Sequence, residues 1–386
     1  MRAAFLPFHV PDIGDEEIQA VTETLRSGWL TTGPRVKQFE ADFAQFIGVR
    51  HAIALNSCTA ALHLSLEALG VRAGDEVIVP AVTFTATAEV LSYLGARPVI
   101  VDCEPDTLNI DPDCIEAAVT PRTRAIVPVH IGGLPCDMDR LRAIARAHAL
   151  HVVEDSAHAL PAAWNGASVG TLGDLGCFSF YATKTITTGE GGMVTTDDDR
   201  WAERIRMMSL HGISRDGWAR YTASGSWCYD ILAAGFKYNL TDIAAAIGIE
   251  QLKKSRRFHD ARVAIARRYD EAFGAMPEIQ VPARVPQAEH AWHLYVIQLD
   301  LDRLRIGRAE FIEALRKRNI GTSVHFIPLH LHSYYRETFG YTADDFPQAS
   351  AAYQRIVSLP IFPTMSPQDV SDVIEAVTAT VEEHRR

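Results

Sequence analysis

The sequence predicts an α/β protein: a large domain built on a mostly parallel seven-stranded sheet with helices on both faces, then a smaller C-terminal α+β domain. Three observations carry this. From His51 onward seven short apolar or β-branched runs occur: AIAL (52–55), EVIVP (76–80), PVIVD (98–102), RAIVPVH (124–130), HVVED (151–155), GCFSF (176–180) and GMVTT (192–196). Most are apolar throughout rather than alternating, as strands covered on both faces are, and helical stretches separate the earlier ones. Residues 276–292 then hold Pro277, Pro282 and Pro286 and read as a hinge to a second unit.

The elements follow in order. Residues 12–26 place Ile13, Ile18, Val21 and Leu25 at helical spacing with acidic residues early, which predicts an amphipathic helix matched to its dipole. The Gly/Pro-bounded loop SGWLTTGP (27–34) leads to a second helix over 36–47; Thr31 and Thr32 read there as turn residues. Helices are predicted over 59–69, 85–95, 111–119 and 137–149, between the strands. Only a short loop separates the last two strands, so at least one of them is expected to run antiparallel. A helix over 198–210 precedes the loop-like stretch 211–230. Another follows over 238–252, capped by Thr241 or Asn239, and then a long basic helix over 253–275. The large domain is thus expected over 1–252 and the small one over 253–386, with 253–275 connecting them. The small domain should hold strands at 293–300 and 321–326 and helices at 307–318 and 366–384.

Composition excludes several classes. With 386 residues and 47% hydrophobic content, the chain can bury a sizeable core. A net charge of −11 argues against a general nucleic-acid or membrane-surface binder, though not against a local anion pocket. Cys58, Cys103, Cys114, Cys136, Cys177 and Cys228 show no metal-binding spacing and read as thiols of a reducing compartment. No apolar run reaches the ~18 residues of a membrane span, and the first ten residues lack a signal-peptide pattern. A cytoplasmic location is expected, with no metal.

The chemistry centres on FSFYATKTITTGEGG (178–192). Lys184 is the only lysine or arginine between Arg146 and Arg200. A lysine on a loop is ordinarily a solvated charge. This one has Cys177, Phe178, Phe180, Tyr181 and Ile186 as neighbours, and a desolvated amine loses its proton and can attack a carbonyl. Ser57, Cys58 and Thr59 follow a strand and open a helix, as a plain cap or as an anion cup. Ser179 could add a hydroxyl to that cup. Asp155 ends a strand at the sheet's carboxyl edge, where ligands sit, either as a helix cap or as the partner of a ring nitrogen. Phe84 is either core or a ring that stacks on a flat ligand. Together these residues suit pyridoxal 5′-phosphate (PLP): Lys184 forms the Schiff base, Asp155 holds the pyridine nitrogen, and the helix end holds the phosphate.

The motifs SGWLTTGP, NSCTAALHLSL, VVEDSAHA, FSFYATKTITTGEGG, GFKYNLTDIAAAIGIEQL, HAWHLYV, VHFIPLH and SLPIFPTM run in order along nearly the whole chain. The sequence resembles the DegT/StrS type of nucleotide-sugar aminotransferase, within the fold-type-I PLP enzymes. The resemblance implies that Lys184 and Asp155 are catalytic and that Phe84 stacks on the cofactor. It implies that Ser57, Cys58, Thr59 and Ser179 hold the phosphate and that His158 lies beside the cofactor. Asn239 would reach the phosphate of the neighbouring subunit, which implies a homodimer with shared sites, and Thr31, Thr32 and His325 would surround the sugar. Cys58 departs from the glycine common in relatives, and YAT precedes the lysine where many have another turn. Lysine at 184, rather than the histidine of dehydratase relatives, implies transamination, with L-glutamate as donor and a nucleotide-linked 4-keto sugar as acceptor. Amination at carbon 3, a cyclitol substrate, and a non-catalytic PLP-binding regulator are the alternatives.

Overall fold

The computed structural model describes residues 2–214 and 229–386, so most of the 211–230 loop and Cys228 lie outside the described residues. The chain opens with α1 (Asp15–Ser27) and α2 (Pro34–Ile47). A β/α succession follows: β1 (His51–Leu55), α3 (Cys58–Ala68), β2 (Glu76–Pro80), α4 (Ala86–Tyr93), β3 (Arg97–Val101), α5 (Pro112–Ala118), β4 (Thr123–Ile126), α6 (Met138–His148) and β5 (His151–Asp155). The short β6 (Ala163–Trp164) and β7 (Ala167–Ser168) precede β8 (Leu175–Ser179), β9 (Gly192–Thr196) and α7 (Asp199–Met208). Then come α8 (Asp242–Phe273), β10 (Ile279–Gln280), β11 (Ala288–Glu289), β12 (Tyr295–Leu299), α9 (Arg308–Lys317), α10 (Ser333–Phe339), α11 (Pro347–Arg355), β13 (Ile356–Leu359) and α12 (Pro367–His384).

The seven predicted strands form one sheet in the order β1-β9-β8-β5-β4-β2-β3. The pairs among β8, β5, β4, β2 and β3 are parallel, and β9 runs antiparallel to both of its neighbours. This register sets up the site. Gly192 at the start of β9 faces Leu55 at the end of β1 and Ser179 at the end of β8, and Asp155 at the end of β5 faces Cys177. Four chain segments therefore arrive at one edge of the sheet.

Successive strand residues point to opposite faces, and β5 uses this to separate structure from chemistry. Glu154 is fully buried and accepts from the amides of Gly170, Leu172 and Gly173 at 3.0, 2.8 and 2.6 Å. His130 Nε2 lies 3.2 Å from the same carboxylate. Glu154 thus fixes the loop leading into β8, while Asp155 is left to face the other side.

The helices predicted at 238–252 and 253–275 are one helix, the 32-residue α8, capped by Thr241, whose side chain accepts from the Ala244 amide. At 321–326 there is no strand; Ser323 only bridges to Ser358, within β13, a strand the sequence reading did not find. The small sheet is β10-β12-β13. The amphipathic helix predicted here is present as α1, but within one chain its apolar stripe is not the covered face. Ile18 and Leu25 are 60% and 52% exposed, whereas Glu17, Ala20 and Thr24 are buried. Partners on α8 explain this: Gln251 Nε2 and Lys254 Nζ donate to the Glu17 carboxylate at 3.0 and 2.8 Å. A buried charge supplied with partners in this way can replace an apolar contact.

Candidate active site

The loop that carries Lys184 is tightly held. Phe180 and Gly191 are joined by a backbone bond of 2.9 Å, the Thr187 hydroxyl and Thr188 amide both donate to the Phe180 carbonyl at 3.0 Å, and the Lys184 amide donates to Tyr181 at 2.9 Å. Ile186, Thr187 and Thr188 are buried and anchor the turn. Lys184 itself is half-buried. Burial of its amine lowers its pKa to about 8, against the opposing pull of Cys58 and Asp155. These interactions also place Lys184, Cys58 and Asp155 within one another's electrostatic reach.

Asp155 is 5% exposed. Its Oδ2 accepts from the Thr87 hydroxyl at 2.7 Å and its Oδ1 from the Ala157 amide at 3.2 Å, while Thr83 and Thr87 share a bond of 2.7 Å. Thr87 was not singled out from the sequence. Among the described residues no cation makes an ion pair with Asp155, and burial raises its pKa. A buried carboxylate held by donors yet lacking a cationic partner suits a protonated ring nitrogen.

The start of α3 offers the other half of a cofactor cradle. Ser57 caps the helix by accepting from the Ala60 amide at 3.0 Å. The amides of Cys58 and Thr59 occupy the first helical positions, which have no carbonyl four residues back within the helix. Glycine at 192 is what lets this helix end lie against the sheet, since a Cβ there would sit 2.3 Å from the Ser57 carbonyl oxygen. Ser179, opposite Gly192, accepts from the Tyr181 amide at 3.3 Å through its hydroxyl oxygen and keeps its own proton for a ligand. Burial holds the Cys58 thiol well above its ordinary pKa, so it is present as a neutral group.

His158 is buried, and burial pushes its pKa well below the ordinary value. It is neutral, and Nδ1 accepts from the Gly132 amide at 3.3 Å, which leaves Nε2 as the donor. Its ring stacks on Phe326, with centroids 5.6 Å apart, and stands 4.5 Å from His293. Phe326 also meets Phe84, at 6.1 Å. Phe84 is 58% exposed, so a ring face remains free. His325 is bound at Nδ1 to the Ser358 hydroxyl at 2.9 Å, and burial lowers its pKa to about 4 with Lys184 adding to the effect. His293, also buried and neutral within reach of Lys184, His158 and His325, had no role in the sequence reading beyond the motif HAWHLYV.

Thr31, Thr32 and Asn239 form a separate group, reached from the sheet edge through the bridge of Asn239 to Leu55. They line a hollow of about 430 Å3 whose walls include neither Lys184, Asp155, His158 nor His325. Asn239 Nδ2 donates to the Thr32 hydroxyl at 2.7 Å, and that hydroxyl donates to the Leu240 carbonyl at 2.6 Å. One chain therefore brings together Lys184, Asp155, Cys58 and the histidines, with Thr31, Thr32 and Asn239 forming a second group.

The fold is that of the fold-type-I aminotransferases, and the protein is a PLP-dependent aminotransferase. It belongs to the DegT/DnrJ/EryC1/StrS aminotransferase family, whose model matches residues 11–378. It is 52% identical over 377 residues to the spore coat polysaccharide biosynthesis protein SpsC of Bacillus subtilis, covering 97% of each chain. The PLP form of Spr1654 from Streptococcus pneumoniae superposes with a TM-score of 0.91 at 35% identity, covering 98% of this chain and 99% of that one. PseC of Helicobacter pylori, an aminotransferase of pseudoaminic acid biosynthesis, superposes with a TM-score of 0.91 at 30% identity, covering 98% and 100%. The chain is a sugar aminotransferase of this family. Among the described residues no helix is long and apolar enough to cross a membrane.

The pKa of Lys184 has a kinetic consequence. A neutral amine is needed to capture an aldehyde, so the rate of PLP uptake by cofactor-free protein should rise with pH and level off above about 8. An ordinary lysine would keep accelerating uptake towards 10.5. Stopped-flow absorbance across this pH range distinguishes the two.

Proposed function

We propose that this protein transfers the amino group of L-glutamate to carbon 4 of a nucleotide-linked keto sugar, in two alternating half-reactions. The observation that carries the reading is a Lys184 of depressed pKa beside a buried Asp155 that makes no ion pair among the described residues, both at one sheet edge. When bound, PLP supplies an electron-withdrawing ring that stabilises negative charge at the carbon bearing the amine. The rest falls to the protein. The Lys184 amine takes the proton from the donor's α-carbon and returns one to the sugar carbon. Asp155, held in place by Thr87, keeps the ring nitrogen protonated. The amides of Cys58 and Thr59, with the hydroxyls of Thr59 and Ser179, bind the phosphate, and Ser57 fixes the helix end that presents them. Phe84 covers one face of the cofactor, His158 Nε2 donates towards it, and His325 lies on the sugar side.

We further propose a homodimer in which Thr31, Thr32 and Asn239 complete the partner's site. Their separation from Lys184 within one chain supports this, as do the exposed Ile13, Ile18, Leu25 and Leu30, which a second copy would cover. The division at residue 252 is also our reading. It is supported by the core around Tyr269, Tyr295 and Val377, whose buried members other than Leu6 all follow that point.

Product analysis tests the reaction. The enzyme with L-glutamate and a panel of UDP- and dTDP-linked 4-keto sugars should yield a 4-amino sugar, identified by NMR, from at least one of them. Amination only of a 3-keto sugar or of an inosose would replace carbon 4 in this reading while leaving the catalytic roles intact.

A further inference from the structure

His293 takes no part in the steps above, although it is buried within reach of Lys184, His158 and His325. It is 6% exposed, its Nδ1 is buried without a partner, and its ring makes no hydrogen bond among the described residues. The centroid of its ring lies 4.5 Å from that of His158, with the planes at 41°. Hydrogen bonding alone holds His158 weakly. Among the described residues its ring takes one bond, from the Gly132 amide, at a long 3.3 Å. Such a bond sets the tautomer but leaves the ring free to tilt. The plane of the imidazole is therefore set by the rings packed on it, Phe326 at 5.6 Å and His293.

No hydrogen bond directs the His293 ring, so its direction comes from the backbone, and that backbone is strained. Trp292 has a φ of 53°, in the left-handed region that a bulky side chain rarely adopts. Such a residue persists only where its surroundings over-determine it. The His290 ring stacks on the indole at 3.7 Å, and its Nδ1 accepts from the Trp292 amide at 2.8 Å. The Arg284 guanidinium covers the indole at 4.2 Å. From α8, the buried Arg262 donates through Nη1 to the carbonyls of Trp292, His293 and Ile361 at 3.2, 3.4 and 2.7 Å. The Ala291 and Leu294 amides donate to the Gly133 and Gly132 carbonyls at 2.9 and 3.0 Å. Gly132 is also the residue whose amide holds His158, so one short segment registers both the Trp292 turn and the His158 ring. A Cβ on Gly133 would lie 2.8 Å from the His158 carbonyl oxygen and 2.9 Å from the Ala291 Cβ, so glycine there lets the two approach.

We infer that His293 is a positioning residue: the strained turn at Trp292 sets its ring against His158 and so fixes the direction of the Nε2 donor in the cofactor pocket. Arg262 acts one step further back, by holding the carbonyls of Trp292 and His293. The inference rests on the role given to His158 above and not on the identity of the sugar.

Cofactor-free protein labelled with nitrogen-15 in histidine gives a readout that needs no turnover. The His158 signal, identified by its loss in His158→Ala, should be that of a single imidazole protonated at Nε2. In His293→Ala it should broaden or exchange with the Nδ1-protonated form; an unchanged signal overturns the inference. PLP binding followed by absorbance gives the second readout. His293→Ala should raise the dissociation constant about fivefold, the scale of one lost ring contact. It should raise it no further in a His158→Ala background. An equal rise in both backgrounds overturns the inference, because His293 would then act without His158. If His158→Ala alone leaves PLP binding unchanged, the role of His158 falls and this inference falls with it. Should His293→Ala not fold, His293→Gln, which keeps the volume without the ring, is read in the same way.

Discussion

Lys184→Ala is expected to reduce turnover by roughly 10^4-fold or more, because one side chain serves as both cofactor anchor and proton carrier. The loss should fall on kcat rather than on folding. The loop around Lys184 is held by its backbone and by Thr187 and Thr188, none of which depends on the lysine side chain. Removing an amine whose charge is disfavoured by burial relieves a desolvation cost, so the melting temperature should stay the same or rise. Lys184→Arg should be equally inactive, since a guanidinium does not give up its proton and cannot form the same bond. Initial rates with saturating donor, alongside thermal melts, check both outcomes. Substantial residual turnover in either variant would remove Lys184 from the centre of the mechanism.

Asp155→Asn is expected to lower kcat by about 10^2–10^3-fold, the range for losing one preorganised electrostatic partner. The substitution is nearly isosteric. The amide oxygen can still accept from the Thr87 hydroxyl or the Ala157 amide, so the pocket keeps its shape while losing its charge. A role confined to capping would predict an unimpaired enzyme. A role in keeping a ring nitrogen protonated predicts weaker PLP binding and a shifted absorbance titration of the bound cofactor. Thr87→Val should move the same two readouts in the same direction by less, because it removes one donor and leaves the carboxylate.

Lys184 and Asp155 were legible in the sequence because strand ends and glycine-bounded loops mark sheet edges before any coordinates are known. All seven strands of the main sheet were legible for a related reason: two-sided burial makes most of them apolar runs. What was not legible depended on partners distant in sequence. Thr87 reads as an ordinary small residue of a helix until α4 is placed across from β5. Arg262 reads as one more cation of a basic helix until the carbonyls of 292, 293 and 361 close around it. The burial of Glu17 in α1 was not legible because periodicity reports which residues are apolar, not which are covered, and Gln251 and Lys254 supply its partners. β13 was missed because its four residues are wedged between the end of α11 and Pro360, too few for a periodicity to emerge. Thr31, Thr32 and His325 were grouped by resemblance; within one chain the two threonines sit with Asn239 instead, a separation that spacing along the sequence does not encode.

The most direct test of the central claim, that Lys184 and Asp155 run an amino-transfer cycle, is a single half-reaction followed by absorbance. Protein loaded with PLP is mixed with L-glutamate in the absence of any sugar. Loss of the visible cofactor band, with one equivalent of 2-oxoglutarate formed per site and no change in the Lys184→Ala protein, is the predicted result. A wild-type band that glutamate leaves untouched, with no 2-oxoglutarate released, would contradict the glutamate-driven cycle.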